Sequence, residues 1–149
     1  AVERSDVMRG TSEMALESSS QGKAFLDTVS QMWKLEKLDN VIEAIGSTGR
    51  QPTYPIAVAV VSAASDIPLR AALLAYFHAF SVNLVSAGIR LVPLGQVAGQ
   101  RCIEELKSSI NDMTETIFLG KIEDLGTAAP IIDWASMKHE TQYTRLFRS

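Results

Sequence analysis

Catalysis or metal binding needs nucleophiles, bases or ligands that converge, and this sequence is sparing with all of them. Its two histidines, His78 and His139, stand about sixty positions apart, and neither belongs to a His-x-x-x-His or Cys-x-x-Cys spacing. A metal site of the usual ligand number would need distant carboxylates or a second subunit. His78 falls between Phe77 and Phe80 and reads as a hydrogen-bonded core histidine. Cys102, the single cysteine, is flanked by Arg101 and Ile103 and reads as a small buried hydrophobe rather than a nucleophile. There is no Gly-x-x-x-x-Gly-Lys-[Ser/Thr] phosphate loop and no nucleophile and base at helical spacing. No catalytic residue, resident metal or cofactor is assigned, and the lack of a clustered acid, base or nucleophile disfavours an α-helical enzyme.

Two places offer binding chemistry instead. Arg90 sits just before Pro93, where a cation meets the negative end of a helix dipole and can hydrogen-bond free carbonyls. Gly95 and Gly99, four apart after the proline, let another backbone approach, with Gln96 and Gln100 on a neighbouring polar face. Tight helix packing with a solvated flank accounts for that spacing and assigns no function. At the other end, Tyr143, Leu146 and Phe147 alternate with Arg145 and Arg148, residue types enriched at interface hot spots. Such a tail either meets a partner, folds back on its own bundle or frays.

The elements that position these groups read as helices. Residues 1 to about 33 form one, weakened by Ser18, Ser19 and Ser20 and anchored by Phe25, Leu26, Val29, Met32 and Trp33. Leu35, Leu38, Val41, Ile42 and Ile45 make a short amphipathic helix ended by Gly46, and residues 46–53 a loop. Pro55 suits the first turn of a central helix over residues 56–64, since no second strand-like run exists to pair with that segment. Ser65 or Asp66 can cap the next helix, whose stripe of Leu73, Leu74, Phe77, Phe80, Leu84, Ala87 and Leu91 predicts a buried strut. Pro93 ends it, and a further helix carries Val97, Ile103, Leu106 and Ile110 inward, with a bend at Asn111 and Asp112 and a stop at Gly120. A polar connection over residues 121–129 leads to a last short helix over residues 130–137. The whole predicts an all-α, irregular single-domain helical bundle without internal repeats.

Composition narrows the partners. A chain of 149 residues, 46% hydrophobic, is long enough for one core burying about 70% of its unfolded surface. The net charge of −3 lacks the basic footprint that nucleic acid or an anionic membrane demands. No uninterrupted apolar run reaches the roughly 18 residues of a membrane span, no signal-peptide order opens the chain, and one cysteine fits a reducing, cytoplasmic setting.

Three segments carry a resemblance. Arg90-Leu-Val-Pro-Leu-Gly-Gln-x-x-Gly-Gln100 resembles the signature of UreF, the urease accessory protein family that takes part in loading nickel into urease. The final Ser136-Met-Lys-His-Glu-Thr-Gln-Tyr-Thr-Arg-Leu-Phe-Arg-Ser149 looks like the UreF carboxyl terminus, and Arg9-Gly-Thr-Ser-Glu-Met-Ala-Leu-Glu-Ser-Ser-Ser-Gln-Gly22 is similar to a third family segment. Full-length members begin with a segment holding a Pro-x-Gly-Gly-Phe-like run that is absent here, so a fragment or shortened member is expected.

The resemblance implies a UreF-like helical domain over residues 1–137 and a partner-binding arm over residues 138–149. It implies a non-enzymatic adaptor that dimerises, binds UreD (UreH in some systems) through the arm, and recruits the GTPase UreG to the urease apoprotein for nickel insertion. UreF has been compared with a GTPase-activating protein, in which an arginine stabilises transferring charge. Arg90 occupies the matching basic position, Gln96 and Gln100 belong to the same motif, and His139 and Glu140 match the His-Glu pair of the arm. Together with Tyr143, Arg145, Leu146 and Phe147 they are the expected partner-binding residues. The alternative is a nickel-binding metallochaperone using His78, Cys102 or His139 across a dimer, which the scarcity of ligands disfavours.

Overall fold

A computed structural model describes residues 2–8, 10–126 and 128–144, the side chains of Asp6 and Val7 excepted. Every regular element among the described residues is helical, as periodicity predicts: α1 (Val2–Val7), α2 (Ser12–Met32), α3 (Glu36–Gly46), α4 (Tyr54–Ala64), α5 (Leu69–Leu91), α6 (Gln96–Leu119), a 3-10 turn at Ile122–Asp124, and α7 (Pro130–Glu140). They fall into two compact units, Ala1–Asp66 with Gly126–Ser149, and Ile67–Leu125.

In the first unit the expected opening helix is divided. Thr11 is extended and its Oγ1 accepts from Met14 N–H at 3.2 Å, satisfying a donor that the helix cannot and so fixing the start of α2. The serine triplet does not interrupt α2, because the Ser19 hydroxyl donates to Ala15 C=O at 2.7 Å within the same turn. Leu26 and Val29 of α2 pack with Leu38 of α3 and with Ala57 and Val61 of α4, and Phe25, Leu35, Ile42, Val60 and Ala64 close around them. The stripe ends sooner than expected: Met32 is exposed, and Trp33 is carried off the helical face by its extended backbone and is exposed too. The loop after α3 reaches α4 by crossing Gly22, where a Cβ would lie 2.2 Å from Pro52 O. Only a residue without a side chain leaves room for that backbone. Pro55 begins α4 as expected, and Tyr54 N–H donates to Ser18 Oγ at 3.3 Å.

The second unit is a helical hairpin. Its first helix is not capped by Ser65 or Asp66: Asp66 turns to a φ of 54° and its carboxylate accepts from Lys37 Nζ at 2.8 Å, leaving Pro68 as the residue before α5. At the other end Val92 is extended (φ −121°, ψ 142°) ahead of Pro93, so α5 stops as the proline requires. Gly95 then precedes α6. Helix α6 runs unbroken through Asn111 and Asp112, where a bend was expected, with Asn111 Nδ2 donating to Lys107 C=O at 2.9 Å. Gly99 lies against Ile89 and Val85, a Cβ there falling 2.3 Å from Ile89 Cδ1, while Gly95 faces open space. Arg70 and Glu115 pair at 2.6 Å across the hairpin.

Burial in this unit corrects the sequence reading. No residue of α5 is buried, Leu84 being 59% exposed, and Phe80, Leu91 and Val97 are exposed as well. His78, read as a core histidine, and Cys102, read as a buried hydrophobe, are both exposed. The reason is geometric: within the unit α5 packs extensively on α6, and one neighbour covers one side of a stripe that wraps widely round the helix. The same wide apolar character makes Leu69–Leu91 long and apolar enough to cross a membrane by length and composition alone. The polar interruptions that break the run in the sequence include two charges, Arg70 and Arg90, placed near its ends, and core helices of soluble proteins pass the same test.

Candidate functional site

The expected partner residues separate into two sets, one on each unit. Arg90 is in the last turn of α5 and exposed, and Gln96 and Gln100 are exposed in the first turns of α6. The Val92–Pro93–Leu94 connection that proline dictates thus brings the basic and amide groups to one end of the hairpin. His78 and Cys102 lie elsewhere on the same two helices.

The second set is built on the start of α2. Helix α7 extends past residue 137 to Glu140, so His139 and Glu140 are helical. Glu140 Oε1 accepts from Ser12 Oγ at 2.7 Å and from Glu13 N–H at 3.0 Å. His139 Nδ1 donates to the Glu13 carboxylate, 2.8 Å from Oε1 and 2.9 Å from Oε2. One turn earlier, the Ser136 and Thr11 hydroxyls share a hydrogen bond of 2.7 Å. One turn earlier again, Asp133 occupies the space that a side chain on Gly10 would need, its Oδ1 2.3 Å from the Cβ position. Asp133, Ser136 and Glu140 stand three and four residues apart and so share a face of α7. That face meets four consecutive residues, Gly10 to Glu13. A carboxylate on the first-turn amides of a helix is favourable twice over, since those N–H groups lack intrahelical partners and the helix end is partially positive.

With its polar face turned inward, α7 presents its apolar side chains outward. Ile131 is 81% and Trp134 59% exposed, with Lys138 Nζ 5.8 Å from the Trp134 ring centre. Tyr143, beyond the helix, is 99% exposed. Arg145, Leu146 and Phe147 lie outside the described residues. Among the described residues no group of three or more His, Cys, Asp or Glu side chains is arranged to hold a metal ion.

The family pattern singled out His139 and Glu140 as partner-binding residues; it gave no sign of Ser12 and Glu13, which contact them, or of the neighbouring Gly10–Asp133 and Thr11–Ser136 contacts. The signal was present in the last helix, where polar residues at 133, 136 and 140 oppose apolar ones at 131 and 134. A face polar at that spacing beside uncapped helix donors is a capping surface.

Much of the sequence is shared with known proteins. The family model described as UreF matches residues 1–107. Among curated relatives, the urease accessory protein UreF of Granulibacter bethesdensis is 44% identical over 142 residues, 95% of this chain and 58% of the relative. The urease accessory protein UreF of one Rhodopseudomonas palustris strain is 42% identical over 139 residues, 93% of this chain and 57% of its own. That of Bradyrhizobium diazoefficiens is 43% identical over 138 residues, 92% and 55%. The chain therefore spans somewhat over half the length of these relatives.

Proposed function

The chain belongs to the UreF family of urease accessory proteins, and from that membership we propose that it acts in urease maturation as a non-enzymatic adaptor. In this reading it binds UreD through residues 138–149 and its neighbouring helix, and recruits UreG to the urease apoprotein. Nickel is the cargo of the assembly and passes along it. The nucleotide chemistry belongs to UreG, and this chain positions that GTPase and couples its hydrolysis to metal delivery.

The observation that carries the reading is the inverted helix α7. Its polar face is turned to the start of α2, while Ile131 and Trp134 stand exposed on the helix that leads to Tyr143. Exposed apolar and aromatic side chains next to a cation fit the core of a protein interface. Arg90, Gln96 and Gln100 form a second polar surface, on the hairpin, which the family motif links with UreG. Arg90 there serves docking rather than transfer chemistry, and pairing of two copies draws on the uncovered apolar surface of α5. The acidic net charge and single cysteine fit a cytoplasmic setting. Co-purification of the chain with UreD and UreG tests the proposal: recovery of both with this chain supports it, and recovery of neither rejects it.

A second reading, a nickel-binding metallochaperone, is favoured by one observation. His139 Nδ1 is fixed on the Glu13 carboxylate, the outer-shell arrangement that orients an imidazole to offer its other nitrogen to a metal. Equilibrium dialysis with nickel separates the readings, since a submicromolar stoichiometric site lost in His139→Ala would favour the second.

A further inference from the structure

We propose that the first turn of α2 is the seat of the carboxyl-terminal helix, and that Glu140 and His139 are positioning residues that fix how α7 is turned. The partner-binding reading gives these two side chains direct contact with another protein. The geometry instead commits them within the chain. Glu140 Oε1 receives both Ser12 Oγ and Glu13 N–H, the His139 ring is set on the Glu13 carboxylate, and the Glu13 side chain is 14% exposed. The contact is not made at a single point. Asp133 against Gly10, Ser136 on Thr11, and Glu140 on Ser12 and Glu13 align three levels of α7 with successive residues at the start of α2.

Thr11 and Glu140 divide the capping of α2 between them. Thr11 takes Met14 N–H from within the same segment, and Glu140 takes Glu13 N–H from a distance of 127 residues. The start of one helix is therefore completed only when the end of the chain is in place. The consequence is directional: while this clasp is closed, Ile131 and Trp134 face outward, and the tail leaves from beside the start of α2. Two of the three segments that carry the family resemblance, around residues 10–13 and 136–140, are joined here.

Amide hydrogen exchange on the full chain, without any partner, tests the clasp separately from the adaptor reading. The Glu13 amide has no intrahelical acceptor, so its protection reports on Glu140. In the wild-type chain it should be protected, in Glu140→Ala it should exchange at least about tenfold faster, and Glu140→Gln, which keeps an acceptor oxygen, should restore most of the protection. The Met14 amide, held by Thr11, should change less than the Glu13 amide in both variants. A Glu13 amide unprotected in the wild type, or equally protected in wild type and Glu140→Ala, would overturn the proposal. So would Glu140→Gln behaving as Glu140→Ala, which would mean that bulk packing rather than the accepted hydrogen bond holds the contact.

Discussion

The two units draw on similar helical patterns and reach opposite results. In the first, α4 is flanked by α2 and α3, and its Ala57 and Val61 meet Leu26, Val29 and Leu38 in a closed cluster. In the second, α5 is about twice as long, 23 residues against 11, yet none of its residues is buried. Apolar periodicity specifies a face that wants to be covered, and whether it is covered depends on how many neighbours the unit supplies. A hairpin of two helices supplies one. The first unit thus holds the buried apolar cluster, whereas burial in the second is confined to Gly99, Ile110 and Thr114 of α6 and leaves the apolar stripe of α5 uncovered.

The sharpest way to break that comparison is one substitution made in both units. Leu38→Ala, at a fully buried side chain, should cost about 2–5 kcal/mol, as truncation in a closed core does. Leu84→Ala, on the exposed side of α5, should stay within about 0.5 kcal/mol. Urea denaturation of both variants measures the difference. An equal cost would show that α5 is covered in solution, and a cost that rises with protein concentration would place that cover in a second copy.

The glycines give a smaller contrast of the same kind. Gly22→Ala would set a methyl 2.2 Å from Pro52 O, 2.7 Å from Thr53 C and 2.9 Å from Tyr54 N, all of them backbone, and should lose about 1–3 kcal/mol. Gly99→Ala meets Ile89 Cδ1, the far end of a flexible side chain, and replaces a poor helix former inside α6. The helical gain of about 0.8–1 kcal/mol should offset most of the displacement, leaving thermal stability nearly unchanged. A Gly99→Ala chain as unstable as Gly22→Ala would mean that the hairpin is as tightly packed as the first unit.

Arg90 should also affect stability little. It lies in the last turn of α5 and is exposed, so Arg90→Ala should lower stability by no more than a few tenths to about 1 kcal/mol. If it faces UreG, the same variant should reduce UreG recruitment and urease activation, with partial rescue in Arg90→Lys, which keeps the charge without the planar fork. Wild-type activation by both variants would remove Arg90 from the functional surface.

Local rules placed most of the helices, but not the division between α1 and α2, the start of α5 or the end of α7. Pro93 ended α5 through the extended Val92, as expected, whereas of the two glycines expected to admit another backbone Gly95 faces open space and Gly99 meets the Ile89 and Val85 side chains. Burial was less legible, because it is a property of neighbours rather than of a stripe. His78, Cys102 and Val97 were assigned inward by their own helices, and among the described residues all three are exposed. The clasp was half legible. His139 and Glu140 stood out through the family pattern, while their partners at Ser12 and Glu13 were hidden by a separation that no helical period spans. The domain boundary placed after residue 137 falls inside α7, so a cut there would remove Glu140 from α2 together with the tail.

The central claim, that the carboxyl-terminal segment carries the partner surface, is therefore best tested by ending the chain after Thr141, which retains α7 and its hold on α2 while removing Tyr143 and all that follows. The measurement is the affinity of UreD for the full and shortened chains by titration calorimetry, with the Glu13 amide protection recorded on both. The account predicts unchanged protection and a loss of UreD binding by at least about 2 kcal/mol, the scale of an interface hot spot. Full affinity in the shortened chain, with the clasp intact, would contradict it.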